Sequence, residues 1–91
     1  MKKETTQACC GRTSITYVIN KPILKEHINM FIQAGFLIPE RYLKSNLFYA
    51  RREGFTATCS FGLARIIARC SGNNCSSHFN LFESLLSKVE S

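Results

Sequence analysis

The chain has 91 residues, 45% of them hydrophobic, and 12 lysines and arginines against 6 acids give a formal net charge of +6. Such a length holds one modest core and argues against a deep enzymatic cleft of ordinary size. The apolar content argues against a disordered tail, and no apolar run approaches the ~20 residues that a membrane-spanning helix needs.

Residues 1–12 are polar and small without periodicity, and are expected to form a flexible N-terminal arm ahead of a single domain over 13–91. Lys2 and Lys3 have no apolar region behind them, so a secretory signal is not expected and the cytoplasm is the expected compartment. Ser14 to Ile19 alternates and is rich in β-branched and aromatic types, predicting a first strand. Asn20 then reads as a helix cap, with Lys21 and Pro22 in the first turn. Leu24, Ile28, Phe31 and Ile32 follow at the spacing of one buried helical face. Gly35 is placed to end that helix in the left-handed conformation, with Phe36 folding back onto its last turn.

Leu37-Ile38-Pro39 reads as an extended connector and Glu40 to Leu43 as a short helical turn. Three strands are then predicted: 46–52, 55–61 and 63–70. Phe55-Thr56-Ala57-Thr58-Cys59-Ser60-Phe61 is the clearest, alternating apolar and polar throughout. Glu53-Gly54 suits a tight hairpin turn and Gly62 the next turn. After a loop at 71–74, Phe79, Phe82, Leu85, Leu86 and Val89 share a face of a closing helix, with Ser76 or Ser77 as the expected cap. The order strand, helix, three strands, helix predicts an α+β two-layer sandwich, an antiparallel sheet with two helices packed on one face.

The pleat assigns the sides. Phe55, Ala57, Cys59 and Phe61 point inward, as do Ala64, Ile66, Ala68 and Cys70, and Phe48 with Ala50. The open face is expected to carry Tyr49, Arg51, Thr56, Thr58, Arg65 and Arg69, with Leu63 and Ile67 among them. Between Arg41 and Arg69 stand six basic residues, Arg52 included, against the single acid Glu53. Guanidinium forks bind phosphate bidentately, hydroxyls take further oxygens and a tyrosine ring stacks on an unpaired base. Tyr49, Arg51, Arg52, Thr56, Thr58, Arg65 and Arg69 are therefore the candidate nucleic-acid or partner-binding residues.

From Pro22 to Val89 the element order is similar to that of double-stranded RNA-binding domains. The likeness is one of topology alone. Those domains place a lysine-rich motif at the start of the last helix, where this chain has the uncharged Cys75-Ser76-Ser77-His78.

Five cysteines without a signal segment predict ordinary reduced thiols rather than a disulfide framework. A Cys70–Cys75 bond would need oxidising conditions. Cys70, Cys75 and His78 lie close in sequence, yet their spacing matches no common zinc site, and no metal or cofactor is expected. His27 and His78 have no link to a nucleophile, and the scattered acids offer no acid–base pair, so a non-enzymatic module is expected.

Two functions fit. One is a small basic module that binds nucleic acid through the sheet face. The other is a protein-binding inhibitor or adaptor, of the kind carried by mobile genetic elements, that occludes a host nucleic-acid-processing complex. The basic patch would then meet an acidic protein surface, with Tyr49, Leu63 and Ile67 as anchors. Exposed aliphatics and sheet edges also offer a homodimer surface. No membrane partner is expected.

Overall fold

The computed structural model describes residues 1–7, 12–72 and 74–91. Strands β1 (Lys2–Gln7) and β2 (Arg12–Val18) come first, followed by a 3-10 turn at Lys25–His27 that runs into α1 (Ile28–Gln33). Then come α2 (Glu40–Lys44), β3 (Leu47–Arg52), β4 (Phe55–Ser60), β5 (Arg65–Ser71) and α3 (Cys75–Glu90). The five strands form one antiparallel sheet in the order β1-β2-β5-β4-β3. The class is α+β, and no helix among the described residues is long and apolar enough to cross a membrane.

The pleat sorts the central strands as their alternation requires. Ile15 and Tyr17 of β2, Ile66, Ala68 and Cys70 of β5, Phe55, Ala57 and Cys59 of β4, and Phe48 and Ala50 of β3 are all buried. Onto them pack Phe79, Phe82, Leu85, Leu86 and Val89 of α3, the face that the helical spacing marks. Phe55 is a hub, its ring lying 5.3 Å from both Phe79 and Phe82 and 5.8 Å from Phe36. Tyr17 and Phe31 reach Phe82 at 5.8 and 5.7 Å. Tilted and edge-on contacts of this kind add ~0.5–1.5 kcal/mol per pair beyond the apolar area they bury.

The N-terminal strand departs from expectation. Part of the expected arm, Lys2–Gln7, is β1, and the first expected strand is the second of the sheet. A polar edge strand needs no apolar alternation, because its backbone pairs with β2 while residues 2–5 stay exposed. Lys3 Nζ also lies 3.1 Å from Glu83 Oε1 on α3, and the same carboxylate accepts the Tyr17 hydroxyl at 2.9 Å. Residues 8–11, including Cys9 and Cys10, lie outside the described residues.

The first helix also starts later than its signals suggest. Asn20, Lys21 and Pro22 precede any helical turn, and Leu24 is still extended at φ −114° and ψ 164°. Its amide donates to His27 Nδ1 at 3.0 Å, so a histidine rather than Asn20 organises the entry. With the start displaced, Ile23 is buried in place of Leu24, and Ile32 is 48% exposed. The end follows the sequence. Gly35 has φ +99°, its amide donates to the Ile32 carbonyl, and Phe36 donates to Phe31. This paired arrangement satisfies the last carbonyls and seats Phe36 against Phe31.

Two links fix the remaining geometry. Leu37 exchanges backbone hydrogen bonds of 2.8 and 3.0 Å with Arg51, covering part of the β3 edge. Cys70 at the end of β5 and Cys75 at the start of α3 are joined in a disulfide, which corrects the expectation of reduced thiols. The strand and helix ends bring their Cα atoms to 5.7 Å, inside the range a disulfide bridges. Asn74, not Ser76 or Ser77, occupies the α3 cap position and makes no side-chain capping bond.

Candidate functional site

The face of the sheet turned away from the aromatic core is read directly from the register. Ser14 of β2 lies opposite Arg69 of β5, Arg69 opposite Thr56 of β4, and Thr56 opposite Arg51 of β3. The next row is Thr16, Ile67, Thr58 and Tyr49. On one side of these rows Arg65 pairs with Val18, and on the other Arg12 pairs with Ser71. Directly opposed residues of antiparallel strands project to the same side, so these side chains form one surface. Strands ~4.8 Å apart place Arg69 and Arg51 roughly 10 Å apart along their row.

Six of the seven candidate residues are thus brought together: Tyr49, Arg51, Thr56, Thr58, Arg65 and Arg69. Arg51, Arg65 and Arg69 are exposed, while Tyr49, Thr56 and Thr58 are half-buried by their neighbours. Arg52 is the departure. It sits opposite Phe55, on the core-facing phase, and a β-carbon built on Gly35 would lie 3.8 Å from its Nε. Its guanidinium therefore covers the turn after α1 and is not part of the open face.

Electrostatically the face is open. Among the described residues no carboxylate makes a salt bridge with Arg12, Arg51, Arg65 or Arg69; the ion pairs found involve Lys3, the chain terminus and the two histidines. Tyr49 is less free, because its ring stacks on Tyr42 at 4.5 Å and 24°, with the Arg41 guanidinium 4.9 Å from the Tyr42 ring. One side of the Tyr49 ring is therefore occupied.

At the Arg12 end the face deepens into a cavity of about 370 Å³ lined by Arg12, Thr13, Ser14, Gly54, Thr56, Arg69, Cys70 and Ser71. Gly54 is required there by close approach: a β-carbon on it would overlap the Ser71 carbonyl oxygen, and Ser71 donates its amide to Gly54 at 3.1 Å. Arg12, Ser14 and Ser71 are absent from the sequence-based site. The alternation of β2 does continue back through Ser14 to Arg12, which is the signal that could have found them. Their meeting with Arg69 depends on β2 pairing with β5, which no local pattern reveals.

The other candidate chemistry resolves differently. The disulfide takes both the Cys70 and Cys75 thiols, and no cluster of three metal-ligating side chains occurs among the described residues. His78 is buried in α3, with Nε2 3.4 Å from Glu53 and Nδ1 without a hydrogen-bond partner among the described residues. Cys59 is buried in the core, and loss of solvation pushes its thiol up to about 11, far from a reactive thiolate. No family model, curated protein or solved structure matches this chain.

Proposed function

We infer that this protein is a non-enzymatic module that binds nucleic acid through the outer sheet face. The observation that carries the reading is the set of four exposed guanidiniums, Arg12, Arg51, Arg65 and Arg69, on one surface and without carboxylate partners among the described residues. Thr56, Thr58, Ser14 and Thr16 interleave hydroxyls between them, a chemistry suited to phosphate oxygens. The helices are taken as one layer behind the sheet, which leaves the opposite face for a ligand. Electrophoretic retardation of single- and double-stranded DNA and RNA at low salt tests this. Retardation that fades steeply as salt rises supports the reading, and no retardation of any of them removes it.

A second reading rests on the aliphatics of the same region. Ile67 lies at the centre of the face, and Leu63, just before β5, is 56% exposed. In this reading the face docks on an acidic protein surface, as an inhibitor or adaptor would. Co-purification with a single saturable protein partner distinguishes it from nucleic-acid binding, for which steep salt dependence with a bare oligonucleotide is expected.

The cytoplasm is the proposed compartment, with a corollary for the disulfide. Disulfides persist in oxidising surroundings, so a Cys70–Cys75 bond that survives in protein isolated under thiol-blocking conditions would overturn this compartment.

A further inference from the structure

We propose that the cavity at the Arg12 end of the outer face is a seat for a phosphate monoester, supplied by the phosphorylated end of a nucleic-acid strand. The inference rests on the sheet-face reading and adds the chemical group that the face selects.

The cavity brings together two guanidiniums and, on the outer phase of three adjacent strands, three hydroxyls: Arg12 and Ser14 of β2, Arg69 and Ser71 of β5, and Thr56 of β4, with Thr13 also in the lining. Arg69 stands opposite both Ser14 and Thr56, and Arg12 stands opposite Ser71, one pleat further along. Arg12 and Arg69 are therefore diagonal neighbours on one side of the sheet, with Cα atoms roughly 7–8 Å apart. Side chains as long as arginine can close over a group placed between them. None of the lining residues is acidic, and neither arginine has a salt-bridge partner among the described residues.

Charge and valence then choose the ligand. A terminal phosphate carries about −1.5 to −2 at neutral pH and three free oxygens, against a single charge and two free oxygens on an internal phosphodiester. Two guanidinium forks match the first in charge, and the three hydroxyls supply hydrogen bonds to the remaining acceptor sites. A volume of about 370 Å³ also leaves room for more than the phosphate group alone. The rest of the strand would run out over Thr58, Arg51 and Arg65, where contacts are to internal phosphates and carry no preference for an end.

The test compares oligonucleotides of one sequence carrying a 5′-phosphate, a 3′-phosphate or hydroxyls at both ends, by fluorescence anisotropy on the full chain. A phosphate at one end is expected to tighten binding roughly tenfold, as a charge-assisted contact of ~1.5 kcal/mol would. Arg12→Ala should erase that difference, Arg12→Lys should recover only part of it because the fork is lost, and Arg65→Ala should weaken all three strands alike. Circular dichroism melting of each variant checks that the fold is intact. Equal affinity for all three strands overturns the monoester seat while leaving the sheet-face reading in place. Failure of every strand to bind, with chemical-shift changes at Arg12 and Arg69 on adding inorganic phosphate, keeps the anion seat and overturns the nucleic-acid source. No response to phosphate in any form overturns both.

Discussion

The two sides of this sheet are built from the same strands and obey different physics. On the core side, Phe55, Ala57 and Phe48 are fully buried, and seven ring contacts join Phe31, Phe36, Phe48, Phe55, Phe79 and Phe82. On the outer side, Thr56, Thr58, Arg51 and Arg69 take the alternate positions of those strands, the arginines exposed and the threonines half-buried. The core side sets the phase of the pleat, since a shift of one residue would turn Arg12, Arg51, Arg65 and Arg69 toward the core. The phase that buries the core thereby sets what the outer side presents. The packed core and the proposed binding surface thus fall on opposite faces of one layer.

That division can be broken first from the core. Phe82→Ala removes the ring that Tyr17, Phe31, Phe36 and Phe55 share, and should cost about 3–5 kcal/mol in urea unfolding. Opening the Cys70–Cys75 disulfide releases a short loop between β5 and α3. On loop-closure entropy alone, its reduction should cost roughly 2 kcal/mol, read as a lower melting temperature in reductant. Thr58→Ala on the wet face should change stability by less than ~0.5 kcal/mol while leaving the fold intact. A loss as large as that of a core variant would mean that the outer face is not free of structural duty.

Alkaline pH offers a finer probe of the core side. Burial first, and then the hydrogen bond and the charge of Glu83, raise the Tyr17 phenol above its ordinary value of 10.0. The unfolded chain ionises this group near pH 10 while the folded chain keeps it neutral. Its contribution is thus fully present below pH ~10 and is lost as pH rises further. Tyr17→Phe should flatten the alkaline arm of a stability profile without changing the neutral region other than by the lost hydrogen bond.

How much was legible in the sequence follows from the same contrast. The apolar period places β4 and the buried stripe of α3 correctly, and the Gly35–Phe36 signal ends α1 where it should, whereas the stripe Leu24, Ile28, Phe31 and Ile32 does not hold, with Leu24 and Ile32 exposed. β1 escaped because an edge strand of Lys, Glu and Thr has no apolar period to read. The start of α1 differs because Asn20 and Pro22 look like a cap and first turn, while the real start is organised by a local contact three residues apart, from the Leu24 amide to His27, that lies outside the usual Ser/Thr and Glu/Gln capping pattern. Arg52 was grouped with Arg51 by composition, yet adjacent strand residues face opposite ways. The cavity was hidden for a different reason: Arg12 and Arg69 are far apart in the chain and meet only through the β2–β5 pairing.

The most direct test of the central claim is the salt dependence of oligonucleotide affinity. If the four free guanidiniums engage phosphates, log Kobs for a single strand should fall against log salt with a slope of roughly −3, and Arg51→Ala should make it shallower by about 0.7. An affinity indifferent to salt, or a slope left unchanged by removing Arg51, would contradict nucleic-acid binding through the outer face.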